Sequence, residues 1–106
     1  MTKNLIGATE RGIPMFDITL TDDQMNAIKS IEVDLRYDAM DKVAEILGVK
    51  VGYKTRWGRA HREIRIDEKT NCEITFRKGK VTELMFFDDK HDVFYNTINI
   101  KKWKIK

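Results

Sequence analysis

The apolar positions of this chain change period once, at Gly48. Before it they recur at helical spacing. Met25, Ile28 and Leu35 share one stripe with Ile31 beside it, and Ala39, Met40, Val43, Ala44, Ile46 and Leu47 form a second run. Thr21-Asp22-Asp23-Gln24 matches a capping box: the threonine hydroxyl can accept from the third helical amide, and the glutamine can reach back to the cap. Asp22 and Asp23 suit the positive end of the helix dipole. Gly48 supplies a left-handed stop. One or two helices are therefore expected over about 21–47, with any break at Ile31-Glu32-Val33-Asp34-Leu35, where the pattern alternates. Ahead of them, Gly7, Gly12 and Pro14 punctuate an N-terminal arm or first edge strand that offers Met15, Phe16, Ile18 and Leu20 for packing.

Beyond Gly48 the period is two. Val49, Val51, Tyr53, Thr55 and Trp57 share one parity, and Lys50, Gly52, Lys54 and Arg56 the other. Gly58-Arg59-Ala60 can turn the chain, and His61 to Ile66 runs back with Ile64 and Ile66 inward. Asp67 to Asn71 reads as a turn. Cys72, Ile74 and Phe76 then alternate with Glu73, Thr75 and Arg77. Lys78-Gly79 fits a two-residue hairpin loop. Leu84-Met85-Phe86-Phe87 is apolar on both faces, as in a central strand. Asp88 to Asp92 turns the chain into a last strand from Val93 to Ile105, with a bulge expected near Lys101-Lys102, where the parity slips. The expected fold is α+β: one domain, with the helices packed on an antiparallel meander of four to five strands over about 49–105.

Composition narrows the class. A chain of 106 residues is one ordinary domain. Its single cysteine, Cys72, excludes an internal disulfide and a cysteine-cluster metal site, and its alternation with Ile74 and Phe76 marks it as buried and inert. No run of eighteen apolar residues spans a membrane, and the N-terminus lacks a signal-like apolar run. The expected setting is the cytoplasm, with no metal, no cofactor and no membrane partner.

Charge adds a location. Net charge is only +3, but it is segregated. Residues 1–48 hold five Lys/Arg against nine Asp/Glu, residues 49–66 six against one, residues 67–92 five against seven, and residues 93–106 four against none. Such blocks steer anions to one region, unless acidic and basic faces simply pair within the fold. The basic hairpin is the candidate site: Lys50, Lys54, Arg56, Arg59, His61, Arg62 and Arg65. A row of cations on a strand face suits a phosphate backbone, and arginine forks onto phosphate with paired donors. Tyr53 and Trp57 could stack on bases, but their parity is opposite to that of Lys54 and Arg56, so they are expected to point at the core. The expected partner is nucleic acid or a nucleic-acid-handling protein complex. Lys101, Lys102, Lys104 and Lys106 are read as guards of an edge strand. Asp34, Asp38, Asp41 and Glu45 form an acidic helix stripe that is either solvated or a mimic of phosphates.

Enzymatic motifs are sparse. There is no phosphate loop, dinucleotide fingerprint or zinc motif, and Ser30, the one serine, lacks a glycine elbow. Asp88 to Asp92 lacks the loop glycine and terminal glutamate of a calcium loop.

Three local likenesses bear on function. Residues 43–49 resemble the first helix and turn of a helix-turn-helix, which would make Lys50 to Arg59 a recognition helix. Lys54 then falls at an apolar position, and Gly52 and Thr55 are poor helix formers, so the strand reading is preferred. Gly58-Arg59-Ala60-His61-Arg62-Glu63 resembles a catalytic strand of small bacterial ribonucleases and ribonuclease toxins. That resemblance implies His61 as acid–base group, with His91 as a second histidine. Small size, high charge and the α+β plan are also similar in type to accessory proteins of phages and mobile elements. Some of these inhibit nucleases or host defence (the anti-CRISPR or anti-defence class) by docking on protein. The expectation adopted here is a non-enzymatic binder.

Overall fold

The computed structural model describes the backbone of residues 1–56 and 59–106, and the side chains of these except 54–56, 59 and 60. Two helices and seven strands follow in the order β1 (Thr2–Ala8), β2 (Pro14–Thr19), α1 (Asp22–Lys29), α2 (Arg36–Leu47), β3 (Val51–Arg56), β4 (Arg59–Asp67), β5 (Thr70–Arg77), β6 (Lys80–Asp88) and β7 (Phe94–Asn99). The fold is α+β, as the change of period implies.

The helix boundaries follow from local chemistry. The Thr21 hydroxyl accepts from the Gln24 amide at 3.1 Å, and Gln24 Oε1 accepts from the Thr21 amide at 3.0 Å, closing both halves of the capping box. The break falls between Lys29 and Arg36, around the alternating Ile31–Leu35. Ile31 is buried there, and the Val33 amide donates to the Gly79 carbonyl at 3.0 Å, so the segment is tied to the sheet instead of continuing a helix. Gly48, at φ +73°, ends α2 in the left-handed region.

Strands β3 to β7 form an antiparallel meander in sequence order, with β3 and β7 at its edges. Helices α1 and α2 cover one face. Ile28 and Val43 on the helices, and Ile64, Leu84, Phe86 and Ile100 across from them, are fully buried. Each contributes roughly 1.5–3 kcal/mol by leaving water. The Lys78-Gly79 loop has both residues at positive φ (51° and 82°), the primed geometry that matches strand twist.

Two expectations are corrected. The N-terminal arm is a hairpin of its own, β1 with β2. It was not legible as two strands because β1 buries almost nothing and so shows no alternation. Strand β2 docks on β7: Asn96 accepts from the Ile18 amide at 3.0 Å and donates to the Ile18 carbonyl at 2.9 Å, and Phe16 meets Tyr95 edge-on. The last strand stops at Asn99. The parity slip is its end, not a bulge. The Ile100 and Lys101 amides both donate to the Thr82 carbonyl at 2.9 Å, and Trp103 turns back so that its indole donates to Asn26 on α1. The C-terminal lysines therefore do not guard a strand edge.

Candidate nucleic-acid interface

Strands β3 and β4 pair along their length, with Val51 opposite Ile64, Tyr53 opposite Arg62, Lys54 opposite His61 and Arg56 opposite Arg59. The register makes Arg59 a paired strand residue, not part of the turn. Trp57, expected in the core, and the side chains of Lys54, Arg56 and Arg59 lie outside the described residues.

The remaining predicted site residues do not form one row. Lys50 is exposed but precedes β3 at the far end from Arg56. Arg65 donates to Asn71 at 3.1 Å, and Asn71 in turn holds the carbonyls of Asp88 and Asp89. Arg62 shares the inward parity of Ile64. It forms an ion pair with Asp41 of α2, whose hydrogen bond raises the guanidinium pKa. Its guanidinium carbon lies 5.2 Å from the Tyr37 ring centre and 5.5 Å from that of Tyr53, within cation–π range.

Tyr53 was expected to point at the core and does not. It has the core parity but sits beyond the part of the sheet that α2 covers, and is 76% exposed; Tyr37 is 57% exposed. Two accessible rings thus flank Arg62, which with Tyr37, Arg36, Met40, His61 and Glu73 lines a cleft of about 480 Å³. The acidic stripe is shorter than the spacing suggested. Asp34 lies before α2, and Asp41 is engaged by Arg62.

The two histidines have different surroundings. His61 lines that cleft. His91 sits in the β6–β7 turn at φ 60°, against Phe87, with Nε2 3.3 Å from Glu73 Oε1. Its ring nitrogens are shielded from solvent and make no hydrogen bond among the described residues. Cys72 is buried, and burial raises its pKa first, with Glu73 adding to the effect, so the thiol stays protonated. Among the described residues no group of three potential ligands could hold a metal ion, and no helix is long and apolar enough to cross a membrane.

The meander sorts charge by turn. Because successive strands alternate in direction, the Arg56–Arg59 end, the β5–β6 turn and the exit of β7 lie at one end of the sheet. Arg56, Arg59 and residues 77–80 and 100–102 lie there and bring Arg56, Arg59, Arg77, Lys78, Lys80, Lys101 and Lys102, with no Asp or Glu among these described residues. The opposite end holds the β4–β5 and β6–β7 turns, with Asp67, Glu68, Asp88, Asp89 and Asp92 against Lys69 and Lys90. Residues 77–80 and 101–102 were not among the expected site residues. The signal was present, since every second turn of a meander shares an end.

No family model, curated protein or solved structure matches this chain.

Proposed function

We propose that this chain is a non-enzymatic binding protein that engages single-stranded nucleic acid, free or within a nucleoprotein complex, through the basic end of its sheet and the face of hairpin β3–β4 that carries Tyr53. One observation carries this reading: the meander collects cationic turns at one end of the molecule and acidic turns at the other. A charge dipole of that kind orients a polyanion before contact. Tyr37 and Tyr53 add accessible ring faces on which unpaired bases can stack, at about 1–3 kcal/mol per base. Arg62 between them adds a cation beside the rings.

The test is a fluorescence-anisotropy titration of a labelled single strand of about twenty nucleotides, DNA and RNA in parallel, at several salt concentrations. Binding that weakens steeply with salt, and that Tyr53→Ala weakens further at every salt concentration, is the expected result. No binding at low salt overturns the proposal.

A second reading has its own support. Strand β1 leaves one edge unpaired among the described residues and exposes Leu5 and Ile6, a surface that suits a protein partner. In that reading the chain is a docking inhibitor of the mobile-element type. A partner recovered equally well before and after nuclease treatment, and lost on Leu5→Lys, favours it over the first.

A further inference from the structure

A second cleft, of about 580 Å³, opens at the basic end of the sheet, outside hairpin β3–β4. Lys29, Arg77, Lys78, Lys80 and Lys101 surround it, and Val81, Thr82 and Ile100 form its floor. Among the described residues, no carboxylate lines it.

These cations come from three separate segments, and named contacts hold them together. The two-residue loop places Lys78 and Gly79 between Arg77 and Lys80. The Thr82 carbonyl accepts from both the Ile100 and Lys101 amides, pinning the C-terminal turn against β6. Lys29 Nζ donates to the carbonyls of Lys101 (3.0 Å) and Trp103, locking the same turn to the end of α1. Lys29 is thus spent on structure. Arg77, Lys78, Lys80 and Lys101 are exposed, and among the described residues none of them forms an ion pair. Nearby acids do not compensate: Glu32 and Asp34 flank Val33, which touches Gly79, yet pair with none of the four, and Glu83 is bonded to Thr75.

Like charges held together in this way repel, and an anionic partner removes the repulsion. The floor presents two buried apolar residues and a threonine whose hydroxyl is already donated to the Thr75 carbonyl. Recognition therefore falls to the cationic rim. Lysine and arginine donors without a base-shaped polar floor bind phosphate oxygens and do not read sequence.

We infer that this cleft is a phosphate-binding site that holds the backbone of the nucleic-acid strand engaged by the rest of the basic end. The inference deepens the function proposed above and rests on it. The strand runs from the β5–β6 turn toward Tyr53 and Tyr37, so that the cleft supplies sequence-independent affinity and the tyrosines supply stacking.

The experiment uses Lys78→Gly together with Lys80→Gln. Lys78 already holds a left-handed φ, which glycine accepts, so the turn survives. The readouts are the salt dependence of single-strand binding and the amide shifts of Thr82 and Lys101 on adding tripolyphosphate. The expected result is a weakening of roughly tenfold or more at low salt, a salt slope lower by about 1.4 (about 0.7 for each lost contact), and loss of the tripolyphosphate shifts. An unchanged slope, with Tyr53→Ala still weakening binding, overturns the cleft and leaves the broader reading standing. Tripolyphosphate shifts at Thr82 and Lys101 without binding of any strand support a phosphate site and overturn its assignment to nucleic acid. Absence of both overturns the inference entirely.

Discussion

Arg62 on β4 is ion-paired to Asp41 on α2 across the boundary between sheet and helix, its side chain 17% exposed against 51% for the aspartate. The pair turns a cation of the basic hairpin inward and spends part of its charge on the protein's own helix. Asp41→Asn removes a carboxylate from beside the two tyrosines and frees that charge. The predicted outcome is single-strand binding tighter by roughly two- to fivefold, the scale of one screened surface charge, with little change in melting temperature. Anisotropy titration of the two proteins side by side checks it.

Gly79 meets two constraints at once. Its φ is +82°, and a Cβ there would lie 3.1 Å from the Val33 carbonyl oxygen, which belongs to the segment between the helices. Gly79→Ala should therefore cost about 1–3 kcal/mol. Lys78→Gly, at φ 51° in the same turn, should leave stability unchanged or raise it by up to about 1 kcal/mol. Thermal unfolding of the two variants should move in opposite directions or, at the least, differ clearly.

The capping box at Thr21, the stop at Gly48, the break near Ile31–Leu35 and the loop at Lys78-Gly79 were legible because each rests on local backbone chemistry. Strand β1 was not, since alternation appears only where one face is buried. The end of β7 was misread because Ile100 continues the apolar pattern while its backbone has already turned to Thr82. For the site, Arg62 was counted among the partner-binding cations although it shares the inward parity of Ile64, and parity put Tyr53 in the core although it is 76% exposed. Parity did not show that α2 stops short of Tyr53, which is a fact of tertiary coverage. The contribution of Lys78, Lys80 and Lys101 required the strand order, which a charge count by segment does not contain.

Asp67 ties β1 to the sheet. Burial pushes its carboxyl upward, but hydrogen bonds from Lys3, the Lys69 amide and Thr70 outweigh this, and the folded-state pKa is lowered. A lowered carboxylate pKa contributes stability that is present above the unfolded value, about 3.9, and is lost as pH falls through the folded one. The side chain is well exposed, so the contribution is on the order of a few tenths of a kcal/mol. Lys3→Ala should shrink the loss of stability on acidification below about pH 4 and leave the alkaline side of the profile unchanged. Denaturant midpoints measured across pH test this.

Thr21 caps α1, whose Ile28 is fully buried and whose Lys29 holds the C-terminal turn beside the basic cleft. Thr21→Ala should cost about 1 kcal/mol, or about 4 °C in melting temperature. Single-strand binding should be unchanged at temperatures where the variant is folded, because the cap touches no cation of the site.

The most direct test of the basic end as the binding surface is an amide chemical-shift map of the folded protein titrated with a short single strand at low salt. The largest shifts are expected on Tyr53, Arg62, Arg77 to Thr82 and Lys101, with the turns at Glu68 and Asp89 to Asp92 silent. Shifts centred on those acidic turns, or none at all, would contradict the basic end as the binding surface.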